Sequence, residues 1–218
     1  ELDNRILVLM SDNGASQEGG ASGTLHEMKH FNGIKETPDE AIERIDDIGG
    51  PNSHTNYPWG WAQCGNSPFR WYKTHTHEGG MHVPMIVHWP SGLDAHAGTK
   101  RNQFAYVSDV VPTVYELLGV RAPDIYRGVE QMPVTGHSFV SVLDDADAPA
   151  TNRLQYFEFG GNRALIVERD GVWWKAVTRH LPGADFDTEP WELFDLTADP
   201  SECHDLADTQ PDRLAELI

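Results

Sequence analysis

The chain opens on an uninterrupted apolar run, Ile6-Leu7-Val8-Leu9-Met10, that stops abruptly at Ser11-Asp12-Asn13-Gly14. Consecutive apolar positions without alternation predict a strand buried on both faces, as in a parallel sheet covered by helices. Polar residues at the carboxyl end of such a strand lie where open α/β sheets bind their ligands. The rest of the sequence offers few parallel neighbours, Met85-Ile86-Val87-His88-Trp89 being one candidate, so most of the sheet is expected to lie upstream of residue 1. Thr37-Pro38-Asp39-Glu40 carries a capping-box pattern with proline at the first helical position. It predicts a surface helix with Ala41, Ile45 and Ile48 on one face, ended by Gly49-Gly50. A second helix is predicted from Val110 to Leu118, with Val110, Val114, Leu117 and Leu118 inward and Gly119 as the stop.

After about residue 150 the pattern shifts to short strands: Leu154–Phe159, Ala164–Glu168, Val172–Val177 and Trp191–Phe194. Gly160-Gly161-Asn162 and Asp170-Gly171 separate the first three, and Asp-Gly between two strand-like runs is a strong hairpin signal. Pro211 begins a last helix with Leu214 and Leu217 inward. The pattern therefore predicts an α/β region over residues 1–148 and a small α+β subdomain over 149–218, with a four-stranded antiparallel sheet and a C-terminal helix.

Composition narrows the class of partner. The 218 residues hold 16 Lys and Arg against 34 Asp and Glu, a net charge of −18. No cluster of basic residues is available to neutralise phosphates, which argues against nucleic acid and against an anionic membrane surface. An acidic chain still binds a small anion if a metal and a lysine are focused in one cleft. No apolar run approaches the ~20 residues of a membrane-spanning helix. No basic region followed by an apolar core marks a signal peptide at the start, and the compartment stays open. Cys64 and Cys203 are the two cysteines, enough for one disulfide and too few for a disulfide scaffold.

Two constellations carry chemistry. Asp12 beside Asn13 offers a carboxylate and an amide oxygen to a hard cation such as Ca²⁺, although Asp, Asn and Gly also favour an ordinary strand-end turn. Lys73, a few residues before Gly79-Gly80, is placed to reach an anion across a turn that needs no side-chain room; most lysines are simply solvated. His75 and His77 share a face if extended, as zinc ligands would, and hydrogen-bonding or core roles are the commoner alternative. Cys64 has neither a base nor a positive neighbour to activate it, so it reads as a small packing residue. Tyr57, Trp59, Trp61 and Trp71 are candidates for an aromatic pocket or for packing.

Taken together and in this order, these segments resemble the sulfatase family of the alkaline phosphatase superfamily. The apolar strand into Ser11-Asp12-Asn13-Gly14 looks like its second metal-binding motif. Tyr57-Pro58-Trp59-Gly60-Trp61-Ala62-Gln63, Asn66-Ser67-Pro68-Phe69-Arg70, Tyr72-Lys73, His77-Glu78-Gly79-Gly80, Val83-Pro84 and His88-Trp89-Pro90 look like its lysine segment. Asp109–Thr113, Gly136-His137-Ser138, Glu192–Leu196 and Asp199–Glu202 fit further along, and the bacterial arylsulfatase branch is the nearest likeness.

The resemblance implies the C-terminal part of an alkaline-phosphatase-like catalytic domain. Asp12 and Asn13 would be calcium ligands, and Lys73 would hold an oxygen of a small-molecule sulfate ester. The family's nucleophile is a formylglycine made from the Cys or Ser of a C/S-x-P/A-x-R signature. No Cys or Ser here stands in that signature; Cys64 is followed by Gly65-Asn66-Ser67-Pro68. The nucleophile, its arginine and the first metal-binding aspartates are expected in an N-terminal half that precedes residue 1. The chain alone is then expected to be inactive and prone to self-association through a cut sheet. The alternatives are a phosphodiesterase or phosphonate monoester hydrolase of the same superfamily, or a non-catalytic module.

Overall fold

The computed structural model describes residues 2–218. Its strands are β1 (Leu7–Met10), β2 (Met85–His88), β3 (Ile125–Tyr126), β4 (Val129–Glu130), β5 (Leu154–Phe159), β6 (Asn162–Arg169), β7 (Val172–Thr178) and β8 (Trp191–Asp195). Its α-helices are α1 (Glu27–Phe31), α2 (Pro38–Glu43), α3 (Trp59–Asn66), α4 (Glu78–Met81), α5 (Pro90–Leu93), α6 (Val110–Leu118), α7 (Val140–Asp144) and α8 (Pro211–Leu217). Contacts group the chain into two compact units that interleave in sequence. One runs to Leu9 and resumes over Ile86–Gln155; the other joins Met10–Met85 to Tyr156–Ile218. Among the described residues no helix is long and apolar enough to cross a membrane.

The second unit is organised by a four-stranded sheet in the order β5-β6-β7-β8. Gly160 and Gly161 (φ 58° and 90°) turn β5 into β6, and Asp170 and Gly171 (φ 55° and 79°) turn β6 into β7. Positive φ at both central positions matches the twist of the strands on either side. The antiparallel register pairs Ile166 with Lys175 across β6 and β7, and Lys175 with Phe194 across β7 and β8. Because side chains alternate between faces, Val167, Trp174, Ala176 and Leu193 share one face, which α8 covers through Leu214 and Leu217. Burial of this kind stabilises by roughly 25 cal/mol per Å², and it accounts for the C-terminal helix as expected from sequence. The opposite face carries Ala164, Val177 and Phe194, together with the charged residues Lys175 and Glu192 described below.

In the first unit β1 pairs with β2. Helix α6 ends at Gly119 in the left-handed conformation, φ 63°, as its sequence predicts. Its start is fixed by Asp109, whose buried carboxylate accepts the amides of Tyr106 and His137, each at 2.8 Å. Ile6, Val8, Trp89, Val110, Val114 and Leu118 line an open apolar groove of about 490 Å³.

Four expectations change. Strand β1 is not buried on both faces: Leu7 and Leu9 are 58% and 67% exposed, because β2 is its only partner and no second layer among the described residues covers it. Helix α2 has the full capping box, with Thr37 and Glu40 satisfying each other's amides, but ends at Glu43. A 3₁₀ turn over Ile45–Asp47 follows, shifting the spacing away from 3.6 and leaving Ile45 and Ile48 exposed. Leu118 also stands largely exposed, at the edge of the groove rather than inward. Cys64 is exposed on α3 rather than packed, and both cysteines are free.

An uncovered strand with leucines outward is an association surface. The 218 residues expressed by themselves should show concentration-dependent self-association in sedimentation velocity. Leu7→Lys with Leu9→Lys should restore a monomer; monomers at every concentration for the unaltered chain would refute this.

Candidate functional site

The strand tip and the lysine segment are joined through backbone, within the second unit. The amide of Gly14 donates to the carbonyl of Gly80 at 3.0 Å, and the amide of Lys73 donates to the carbonyl of Ala15 at 3.0 Å. Asn66 ties the two together. Its Oδ1 accepts from the Ala15 amide at 2.8 Å, while its Nδ2 donates to the carbonyls of Trp71 and Gly79 at 2.9 and 2.8 Å. A Cβ on Gly14 would lie 1.7 Å from the Gly79 oxygen, and one on Gly80 would lie 2.0 Å from the His75 oxygen. These glycines are therefore required by chain packing on chain, not by room for an approaching ligand.

Asp12 stands exposed at the tip. Asn13 donates its Nδ2 to the Gly14 carbonyl at 2.9 Å, which leaves its amide oxygen turned the other way. A carboxylate and an amide oxygen on consecutive residues fit the donor chemistry of a hard cation. They are two of the roughly six to eight oxygens calcium takes, and among the described residues no group of three or more His, Cys, Asp or Glu is arranged to hold a metal. Lys73 Nζ lies 2.8 Å from Glu18 Oε2, with the two side chains 31% and 26% exposed. Glu18 also accepts from Ser16 Oγ at 2.8 Å. The Lys73 hydrogen bond, then that of Ser16, holds its carboxyl below the ordinary range.

The two histidines are not a zinc pair. His77 is fully buried and bonds Glu192 Oε2 through Nε2 at 2.8 Å. His75 lies against the Trp71 ring at 4.8 Å; burial, then the charge of Arg179 and of His77, pushes its pKa down to about 4, so it is neutral near pH 7. Trp71 carries the Arg179 guanidinium over its face at 4.0 Å, a packing role. Tyr57, Trp59 and Trp61 remain 47%, 47% and 66% exposed, beside the loop that carries Glu18, to which the Trp59 amide bonds through the Gly20 carbonyl at 2.9 Å.

Below the lysine segment lies an ionic layer that fixes it to the sheet. Lys175 on β7 is completely buried and pairs with Glu78 at 2.9 Å and with Glu202 at 2.7 Å. Glu202 also accepts the Glu78 backbone amide at 2.9 Å. Arg70 donates to Glu192 at 3.0 Å and to the Glu202 carbonyl at 2.9 Å. Burial pushes the Glu78 carboxyl up, but the Lys175 charge and hydrogen bonds from His82 and Lys175 outweigh it and hold its pKa at about 2. In Glu192 burial is likewise outweighed by His77 and Arg70, and the pKa is lowered.

Sequence reasoning brought Asp12, Asn13 and Lys73 forward, and all three fall on segments bonded to each other. It gave no individual role to Glu18, Asn66, Lys175 or Glu202, although Asn66 and Glu202 stand in segments that carry the resemblance. Lys175 had a readable signal: a lysine inside Val172-Trp173-Trp174-Lys175-Ala176-Val177 must face either a wet surface or a buried acid. Glu18 sits in a loop without periodicity and gave none.

The family model described as "Sulfatase" matches residues 1–120, and "N-sulphoglucosamine sulphohydrolase, C-terminal" matches residues 67–216. An uncharacterised sulfatase of Schizosaccharomyces pombe is 30% identical over 220 aligned residues, covering 100% of this chain and 37% of that protein. An arylsulfatase of Klebsiella aerogenes is 28% identical, covering 72% of this chain and 31% of that protein. A solved Bacteroides thetaiotaomicron structure, from work on its metabolism of multiple glycosaminoglycans, superposes with a TM-score of 0.58 at 20% identity. It covers 99% of this chain and 37% of that one, which establishes the shared fold. The chain thus spans about a third of the length of the relatives it matches.

Breaking a buried pair strands the remaining charges. Lys175→Met should lower unfolding free energy by about 3–5 kcal/mol, read from urea denaturation; a loss near zero would show the layer to be dispensable. Glu78 adds a pH signature. Its carboxyl is held at about 2 against an ordinary 4.5, so its contribution is complete above about pH 4.5 and drains as pH falls toward 2. Glu78→Gln should flatten that acid limb of stability against pH.

Proposed function

We propose that this chain, which belongs to the sulfatase family, supplies the second metal-binding segment and the anion-binding lysine of an enzyme that hydrolyses sulfate esters, with aryl sulfates as the substrate class. The observation that carries the reading is the pair of backbone bonds from Gly14 to Gly80 and from Lys73 to Ala15. They hold a hard-oxygen tip and a cation on one rigid assembly. Asp12 and Asn13 are the residues that would hold calcium, which when bound would polarise a sulfuryl oxygen. Lys73 would donate to another oxygen of the same group.

Cleavage of a sulfate ester spreads negative charge over the sulfuryl oxygens and the leaving oxygen, and a preset ammonium stabilises that charge without reorganising. Lys73 suits this role because its backbone is fixed on both sides: its amide is bonded to Ala15, and Thr74 beside it is held at φ 80°. The nucleophile, in this reading a formylglycine, would come from residues outside these 218, in keeping with a chain that spans 37% of the Schizosaccharomyces pombe relative.

In the full-length protein, Lys73→Ala should lower kcat/KM for an aryl sulfate by about 10²–10³-fold, the range for removing one oxyanion donor. Chelation of calcium should abolish turnover reversibly, and the 218 residues alone should show none. Unchanged kcat/KM in Lys73→Ala would refute the assignment, and faster turnover of the matching aryl phosphate would move the enzyme to phosphoryl chemistry.

A further inference from the structure

We propose that Glu18 is a specificity-determining residue that sets the charge of the anion Lys73 accepts, admitting a singly charged sulfuryl group and penalising a doubly charged phosphoryl group. The inference rests on the reading that Lys73 holds an oxygen of the substrate anion, and adds to it a residue that the resemblance does not assign.

The ion pair is built rather than incidental. Glu18 sits on a short loop fastened at both ends. Gly19 is buried, and a Cβ there would lie 2.5 Å from the Tyr57 carbonyl oxygen. The Gly20 amide donates to the Gln17 carbonyl at 3.0 Å and its carbonyl accepts the Trp59 amide at 2.9 Å. Gln17 reaches Thr74 Oγ1 at 3.3 Å, next to the lysine. Ser16 Oγ donates to the same Glu18 oxygen that meets Lys73. A carboxylate held from this many directions has little freedom to swing away, unlike a surface pair between two mobile chains.

The chemistry follows from counting donors and charges. An ammonium has three N–H donors; Glu18 takes one, leaving the others for a ligand. The pair is neutral as a unit. A sulfate ester carries one negative charge, whereas a phosphate monoester carries two above the second ionisation of phosphate, near pH 6. A fixed carboxylate 2.8 Å from the ammonium repels each of those charges, so its cost to a dianion is about twice that to a monoanion. Removing the carboxylate while keeping its shape would lift that penalty.

The test uses two tetrahedral anions of similar shape, sulfamate with one charge and inorganic sulfate with two, titrated calorimetrically into the full-length protein. Wild type should favour sulfamate relative to Glu18→Gln, whose sulfate-to-sulfamate affinity ratio should rise about tenfold, equivalent to ~1.4 kcal/mol. Glu18→Asp, which retains charge but alters the hydrogen bond, should keep a ratio close to wild type. A ratio unchanged in Glu18→Gln, with Lys73→Ala still weakening both anions, would overturn the selectivity role while leaving Lys73 as the anion site. If Lys73→Ala changed neither affinity, the functional reading itself would fall, and the role of Glu18 with it.

Discussion

The arrangement depends above all on one buried cation. Lys175 reaches from an inner strand of the small sheet to two glutamates, Glu78 and Glu202, that come from distant parts of the sequence. Taking three charges out of water costs several kcal/mol per ion unless each is paired and hydrogen-bonded. The geometry therefore has few alternatives: Glu78 must stay at the start of α4, and with it the glycines that pack against the strand tip. Arg70, His77 and Glu192 extend the same layer. Apolar side chains would hold the two parts together as firmly, but without fixing direction. Charged groups do both, because a misplaced carboxylate would be left buried and unpaired.

Above this layer the candidate site is made chiefly of backbone. Gly14, Gly79 and Gly80 let two chain segments approach within van der Waals contact, and Asn66 uses its amide to satisfy three main-chain groups at once. The side chains with chemical potential then project from a platform that cannot easily deform. This division of labour suits a site that must hold charge: rigid dipoles and fixed ions need no rearrangement when a ligand arrives. The chain carries a net charge of −18, yet Lys73 has its ion-pair partner close at hand in Glu18. Lys73 is kept in place by one local carboxylate rather than by the field of the whole molecule.

The uncovered leucines of β1 belong to the same picture. Their run of apolar residues is the pattern of an interior strand, yet among the described residues only β2 accompanies it, and Leu7 and Leu9 face outward. Periodicity records what a strand needs; only the neighbours decide whether it is met. The chain's coverage of about a third of its relatives sets this strand in the context of longer proteins of the same fold.

Much of the local structure was legible from sequence. The capping box at Thr37, the left-handed stop at Gly119, the Asp-Gly hairpin and the four strands after residue 150 all rest on interactions among residues a few positions apart, and these are dictated by backbone sterics and alternation. Asp12, Asn13 and Lys73 stand out as candidates only through the resemblance that their flanking segments carry. What only the tertiary structure decided was the company they keep: Glu18 against Lys73, fifty-five positions on, and Lys175 against Glu78, ninety-seven away. Helix α2 stopping short and Cys64 standing in solvent were decided the same way. Periodic patterns encode which face of an element is apolar, but an ion pair between separate elements leaves no period in the sequence, because its strength depends on a distance that only the folded chain defines.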